Sequence, residues 1–160
     1  MVFAQAFAEA NPGSRCTFEA EENGRFRRAF LMPAASVIAF HEGRKALVVD
    51  AAHMRNGYAM RVLNAAGYDA RGQMYVVASA LVSGEENNDN VRWFLRELLC
   101  GGINTPSFIM SDRGSALLSS VTAVYPSKCM FIIIITIKII SSAPPPLPVH
   151  PQQMFRTASA

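Results

Sequence analysis

Apolar and polar segments in the middle of the chain predict three consecutive strands. Residues 46–50 form an apolar run that ends at Asp50, as in a central strand whose two faces are both buried. Residues 61–68 and 73–82 are predicted to form two further strands. Residues 69–72 between them place Asp and Gly where a type I turn needs these residues. The three strands are therefore predicted to form an antiparallel meander.

Helical spacing begins after the third predicted strand. Apolar residues recur at intervals of three and four residues from Val91 to Leu99, which predicts an amphipathic helix. Asp89 or Asn88 is placed to cap the start of this helix, and the glycine pair at 101–102 is placed to end it. A helix therefore separates the meander from the segments that follow.

The last predicted elements are a strand at 107–110, a helix at about 114–125 and a mainly β-branched strand at 130–140. The order of elements is then that of an α/β ribonuclease H-like mixed sheet: three antiparallel strands, then helix, strand, helix, strand, here truncated on the C-terminal side. In that fold the first strand and the strand after the first helix are neighbours. We therefore expect Asp50 to lie near Asp112, so that two carboxylates offer a place for a divalent cation.

The two ends of the chain carry weaker patterns. Residues 1–24 are mixed in character and are predicted to flank a domain that extends over 25–140. Within this domain, residues 26–31 permit either a strand or one helical turn, and residues 34–41 permit a short helix. Residues 141–160 begin with a proline-rich run and are predicted to form an extended, disordered tail.

Composition narrows the class of protein. Of 160 residues, 51% are hydrophobic and 17% are charged, which predicts a folded domain with a core. The three cysteines are far apart in sequence and form no CxxC pair, so a reducing compartment is the default. The N-terminus lacks the pattern of a signal peptide, and the longest apolar run is too short to span a membrane. The net charge of +3 permits contact with nucleic acid without requiring it.

Short motifs along the chain resemble those of Mutator-like element (MULE) transposases. Residues 49–58, VDAAHMRNGY, are similar to the stretch around the first catalytic aspartate of that family, and residues 111–114, SDRG, are similar to the segment of the second. Between them, GYDARGQ at 67–73 and ENNDNVRWFL at 86–95 also resemble family motifs. Each motif alone is weak, but their common order over roughly residues 11–126 makes the resemblance specific.

The resemblance implies metal-dependent cleavage and transfer of DNA strands by three carboxylates and two ions of Mg²⁺ or Mn²⁺. Asp50 and Asp112 match the first two carboxylates, so they are expected to be catalytic residues and metal ligands. Glu86 and His53 are the auxiliary candidates. The resemblance further implies DNA as partner, no membrane association and a nuclear location, or otherwise a cytoplasmic one without secretion. It leaves the oligomeric state open.

Departures from the family pattern bear on activity. Residues 50–52 read Asp-Ala-Ala where the family has Asp-Gly-Thr, and Ile132 stands where a Cys-x-x-His element starting at Cys129 would have its histidine. No Asp or Glu follows Asp112, so the third carboxylate is missing from its place. We therefore expect a catalytically incomplete transposase domain. The alternatives are a DNA- or protein-binding module that retains the fold, and a nuclease that recruits Glu86 as its third ligand.

Each candidate residue also has a purely structural explanation. Asp50 suits a turn at the end of a strand, and Asp112 suits the N-cap of the following helix. Glu86 suits the positive end of a helix dipole, and His53 suits a solvated surface. Five arginines are candidates for a DNA path or for ordinary solvated surfaces: Arg55, Arg61, Arg92, Arg96 and Arg113.

Overall fold

The structure is a computed structural model that describes residues 2–54, 59–84, 88–111, 115–125 and 130–133. Within these ranges the chain forms four helices and seven strands. In chain order they are α1 (Val2–Ala10), β1 (Arg15–Ala20), β2 (Phe26–Met32), α2 (Ala34–Glu42), β3 (Ala46–His53), β4 (Met60–Tyr68), β5 (Met74–Ser83), α3 (Asn88–Cys100), β6 (Phe108–Ser111), α4 (Ser115–Val124) and β7 (Met130–Ile133).

The seven strands form one mixed sheet in the order β1-β2-β5-β4-β3-β6-β7. Strands β3, β4 and β5 form the predicted antiparallel meander, while β6 runs parallel to β3 and β7 runs parallel to β6. The predicted neighbourhood of the first meander strand and the strand after the next helix is thus confirmed, and so is the α/β class. The finer assignment to the ribonuclease H-like topology stays a prediction.

One face of the sheet is covered by helices, and we call it the helix-covered face. Phe30, Ala80 and Leu63 follow one another across β2, β5 and β4 in register, and all three are buried. The ring of Phe94 from α3 packs against Phe30 with ring centroids 5.8 Å apart, and α4 packs beside α3. Burial of large apolar side chains on this face supplies most of the stabilisation of the fold.

The other face, which we call the open face, is covered far less. An apolar groove of about 500 Å³ crosses it near β1, β2 and β5. Ala4 of α1 lines the groove together with Phe18, Leu31 and Leu81 from the strands. Alternate residues of the same strands therefore meet two different environments, as the period of two in a strand requires.

The N-terminal region contributes to the sheet. The prediction described residues 1–24 only as a flank, but α1 and β1 lie within them and β1 pairs with β2 in antiparallel register. The sheet thus continues across the predicted boundary at residue 25. The choice at 26–31 is resolved as a strand, because Arg28, Phe30 and Met32 alternate on the buried face.

Helix α3 is held at both of its ends. In its first turn Asp89 accepts hydrogen bonds from Arg27 at 3.1 Å and from Arg28 at 3.0 Å. At its other end Gly102 has a φ of +108°, a left-handed conformation that favours glycine, and its N–H donates to the carbonyl of Leu99. The predicted end of the helix at the glycine pair is therefore confirmed.

The remaining predicted elements agree with the structure where it describes them. The strand at 130–140 is found as β7 over Met130–Ile133, and residues 134–140 and the predicted tail at 141–160 lie outside the described residues. Among the described helices, none combines the length and the apolar character that a membrane crossing needs.

Candidate functional site

Asp50 lies inside β3 rather than at its end. The strand was predicted to stop at this residue, but it continues to His53 because residues 51–53 keep pairing with Leu63, Val62 and Arg61 of β4. The explanation of Asp50 as a turn residue is therefore wrong. Val49 is 2% exposed on the helix-covered face, and Asp50 is exposed on the open face.

The neighbour of β3 on one side is β6, in parallel register. Val49 pairs with Ser111, so the residue before Asp50 is level with the residue before Asp112 in the sequence. Asp112 itself lies outside the described residues, and so does Glu86. His53 is the last residue of β3, and only its backbone is described. The register agrees with the expected pairing of the two aspartates as far as the description extends.

The neighbour of β3 on the other side is β4, which places a polar residue next to Asp50. Asn64 is the cross-strand partner of Asp50, and Ser79 of β5 is the partner of Asn64. The hydroxyl of Ser79 donates a hydrogen bond of 2.7 Å to the side-chain oxygen of Asn64. Asp50, Asn64 and Ser79 therefore form a row across three strands of the open face, and we call it the polar row.

Sequence reasoning missed the two further members of the polar row. The only signal is that Asn64 and Ser79 interrupt apolar strand segments, which is common in half-exposed strands. Their alignment with Asp50 depends on the register of three strands. That register is set partly by a bulge in β5, where Ala65 pairs with Ala78 but Ala66 pairs with Val76.

The electrostatic surroundings of Asp50 leave its carboxylate available. Among the described residues, none forms an ion pair or a hydrogen bond with its side chain. Arg61 pairs with His53 in the sheet register, three positions further along β3. Arg96 is exposed on α3, Arg92 is half-buried, and Arg55 and Arg113 lie outside the described residues. A DNA path along these arginines stays a prediction.

The cysteines offer no metal site in the described part of the chain. Burial raises the pKa of the Cys16 thiol and thus favours its protonated form, which does not bind metal ions. Cys100 is exposed on α3, and Cys129 lies outside the described residues.

The donor set around Asp50 fits a hard divalent cation. Mg²⁺ prefers oxygen ligands and is commonly bound by one or two carboxylates together with water and substrate phosphate. Asp50 supplies one exposed carboxylate, and the neighbouring Asn64 supplies an amide. No group of three His, Cys, Asp or Glu side chains with the spacing of a metal site occurs within the described ranges. These residues therefore suit one weakly held ion and not a pair.

Comparison with protein families finds a match that covers more than half of the chain. A family model described as the MULE transposase domain matches residues 46–135, which is more than half of the 160-residue chain. The match begins at the first residue of β3 and includes Asp50, the polar row, α3, β6 and α4. A comparison with curated proteins gives no match.

Proposed function

The chain belongs to the MULE transposase domain family, and from this premise we propose that it is a DNA-binding, transposase-derived domain in which Asp50 and Asp112 hold a divalent cation. The cation is Mg²⁺ or Mn²⁺, and the domain has a ribonuclease H-like core. We further propose that this chain by itself has little or no strand-transfer activity, because its 160 residues contain no Asp or Glu after Asp112 that could serve as the third carboxylate. A nuclear location is part of the same proposal.

The observation that carries the proposal is the position of Asp50. Its carboxylate is exposed on a central strand, has no cationic partner among the described residues, and is followed by the small residues Ala51 and Ala52. An unpaired carboxylate on a central strand contributes little to folding, whereas a metal ligand needs these properties. The parallel register of Val49 with Ser111 supports the role of Asp112 as the second ligand.

The residues of the chain would act mainly by holding the divalent cation and by orienting the carboxylates that bind it. Asp50 would bind the ion on the open face, and the buried Val49 would fix the backbone from which the carboxylate projects. When bound, the ion supplies charge stabilisation at a phosphodiester of DNA. Two ions about 4 Å apart are needed to stabilise both the attacking and the leaving oxygen. Two aspartates hold one ion weakly and a pair poorly, which supports the proposed low activity.

A non-catalytic DNA- or protein-binding module is the second candidate function. It is favoured by the sequence Asp50-Ala51-Ala52, which stands where the family has Asp-Gly-Thr. A nuclease that uses Glu86 as third ligand is the remaining alternative, and loss of cleavage in Glu86→Gln would support it.

The decisive experiment measures thermal unfolding of the full chain with and without Mn²⁺. A ligand that binds only the folded state stabilises it by about 2.7 kcal/mol when its concentration is a hundred times the Kd. We expect Mn²⁺ to raise the Tm of the wild type and to leave the Tm of Asp50→Asn and Asp112→Asn unchanged. Glu42→Gln, which removes an exposed carboxylate at the end of α2, is the matched control and should respond like the wild type.

Two results would contradict the proposal. If Mn²⁺ does not stabilise a cooperatively folding wild type, the metal site does not exist and the binding module becomes the better function. If Asp50→Asn responds as strongly as the wild type, the ion binds elsewhere. DNA binding is measured in parallel as a function of salt, because contacts to phosphates weaken as the salt concentration rises.

A further inference from the structure

Strand β1 is an edge of the sheet. It is the first strand in the sheet order and pairs with β2 on one side only. Helix α1 contacts β1, but its Ala4 lines the apolar groove, so this helix lies over the open face and does not add a strand to the edge. An edge strand presents unpaired backbone N–H and C=O groups, which can pair with a strand of another chain.

The two charged residues of β1 keep part of their side chains exposed at this edge. Arg15 donates from Nε to Glu97 of α3 at 2.8 Å, and its side chain is 34% exposed. Glu19 accepts from Arg28 of β2 at 2.7 Å, and its side chain is 36% exposed. Within the described part of the chain, the Nη groups of Arg15 and the Oε1 atom of Glu19 have no further partner. Both side chains can therefore form a second ion pair.

The sequence of β1 is complementary to itself in antiparallel register. The strand reads Arg-Cys-Thr-Phe-Glu-Ala. When two copies pair about a two-fold axis at Thr17, Arg15 of each copy lies opposite Glu19 of the other. On the open face, Cys16 of each copy then lies opposite Phe18. Opposite charges at directly facing positions stabilise an antiparallel pair, and the two-fold axis makes each contact occur twice.

We propose that β1 is a dimerisation strand, which pairs with β1 of a second copy of this chain in antiparallel register about Thr17 and joins the two sheets into one. The inference goes beyond the proposed function and does not depend on the cation site. It assigns the oligomeric state, which the sequence leaves open.

The pairing gives partners to exposed groups on both faces of the edge. On the helix-covered face, Glu97 and Arg15 of one copy continue into Glu19 and Arg28 of the other, so that the charges alternate along the row. On the open face, the exposed ring of Phe18 gains an apolar neighbour from the second copy. Electrostatic and apolar contacts therefore favour the same register.

A protective role of the same charges makes a different prediction. Charged residues on edge strands also prevent pairing with other chains. In that case Arg15 and Glu19 would only join β1 to α3 and β2, and the protein would be a monomer. The oligomeric state and its response to these two charges separate the two roles.

The experiment measures the Kd of the dimer by sedimentation velocity of the full chain, at protein concentrations from micromolar to millimolar. We expect the wild type to dimerise. Arg15→Glu and Glu19→Lys each place like charges opposite each other at two symmetric positions, so each should weaken dimerisation by about tenfold or more. Glu42→Lys changes an exposed charge at the end of α2 and is the matched control, which should dimerise like the wild type.

A mixture of the two variants tests the register by a gain instead of a loss. In a mixed dimer of Arg15→Glu with Glu19→Lys, both cross-strand pairs again join opposite charges. We expect the equimolar mixture to dimerise about as tightly as the wild type, although neither variant does so alone. Each substitution also removes an ion pair within the chain, so the Tm of each variant is measured to show that it is folded.

Thr17→Cys tests the same register without a change of charge. Facing residues of an antiparallel pair have Cα atoms about 4.5–5.5 Å apart, which is within the range of a disulfide. Residue 17 would face its own copy across the two-fold axis, so we expect this variant to form a disulfide-linked dimer under mild oxidation. The wild type, with its three native cysteines, and Glu42→Cys are the controls and should cross-link far less.

The outcomes decide the inference independently of the cation site. A wild type that is monomeric over the whole concentration range overturns it, and so do folded charge variants that dimerise like the wild type. Weaker dimerisation of both variants with recovery in the mixture supports it. If either charge variant does not fold, cross-linking of Thr17→Cys above both controls supports the inference, and cross-linking no greater than in the controls overturns it.

Discussion

The two faces of the sheet are built from the same strands, but one face forms the hydrophobic core and the other carries the candidate site. On the helix-covered face Val49, Leu63 and Ala80 are 2%, 2% and 3% exposed and belong to the same hydrophobic core as the buried residues of α3. On the open face their chain neighbours Asp50, Asn64 and Ser79 form the polar row beside an apolar groove. In each of these strands, a residue that stabilises the core is therefore directly followed or preceded by a residue of the candidate site. A substitution on one face should change stability, and a substitution one residue away should change binding.

The buried residues on the helix-covered side of the sheet include four polar ones, namely Arg28, Asn90, Ser111 and Ser120. Arg28 lies there with a 9% exposed side chain, donates to Glu19 at 2.7 Å and to Asp89 at 3.0 Å, and stacks over the ring of Trp93. The shielded hydroxyl of Tyr75 has no hydrogen-bond partner within the described part of the chain. Substitutions of these residues and of the large apolar ones are expected to change the free energy of unfolding by decreasing amounts.

The largest effect is expected from Phe94→Ala. Phe94 is fully buried against Phe30, and removal of a buried phenylalanine ring costs about 3–5 kcal/mol of unfolding free energy. The matched control is Phe18→Ala on the open face, where the ring is 43% exposed, and its cost should be clearly smaller. Urea unfolding monitored by circular dichroism measures both values. Equal costs would show that the two faces are not as different as their burial indicates.

An intermediate effect is expected from Arg28→Met. The substitution keeps an apolar side chain over Trp93 but removes the charge that joins β1, β2 and the first turn of α3. We expect a loss of about 1–2 kcal/mol, reduced by the solvent exposure of Glu19 and Asp89. Arg27→Met removes only an exposed ion pair to Asp89 and should change the Tm little. If Arg27→Met lowered the free energy of unfolding as much as Arg28→Met, then Arg28 would not be the residue that joins β1 and β2 to α3.

The smallest effect, and one of opposite sign, is expected from Tyr75→Phe. The substitution removes a shielded hydroxyl without a partner, so it should stabilise the fold by about 1 kcal/mol at neutral pH. Gly67 lies opposite Tyr75 and leaves room for the ring, since a Cβ there would come within 2.9 Å of the hydroxyl oxygen. Thermal unfolding at pH 7 measures the change. A clear loss of stability would reveal a partner for the hydroxyl.

The same variant predicts a change in pH dependence. Burial, and secondarily the charge of Asp69, raises the pKa of Tyr75 above its ordinary value of 10.0. The unfolded chain then loses this proton at lower pH than the folded chain, so stability is retained below pH 10 and falls as pH rises through the folded pKa. We expect the Tm of the wild type to fall more steeply above pH 10 than that of Tyr75→Phe. Parallel slopes would mean that Tyr75 does not contribute to the alkaline loss.

The sequence predicted most elements because their signals are local. The apolar run at 46–50 and the helical spacing from Val91 to Leu99 each lie within one element, and the structure has β3 and α3 there. Residues 1–24 were not assigned, because β1 becomes a strand only by pairing with β2, and α1 packs on β1. An edge strand of six residues has little pattern of its own.

The candidate site was predictable only in part. Asp50 was found from its motif and its place after an apolar run, but the end of its strand was misplaced because β4 extends the pairing beyond it. Asn64 and Ser79 could not be found, since their alignment with Asp50 depends on the register of three strands and on the bulge near Ala65. A register is a property of paired segments, and a single segment does not encode it.

The parallel pairing of β3 with β6 has a consequence for the order of folding. The meander from β3 to β5 joins strands that are adjacent in sequence, whereas Ala46 meets Phe108 only after the whole of α3 and its loops have been brought back to the sheet. Closing such a long loop has a high entropic cost, so non-local strand pairs form slowly. During refolding, the polar row would therefore assemble before β6 arrives. The appearance of the proposed Mn²⁺ affinity would then report the pairing of β6 with β3 and not the collapse of the core.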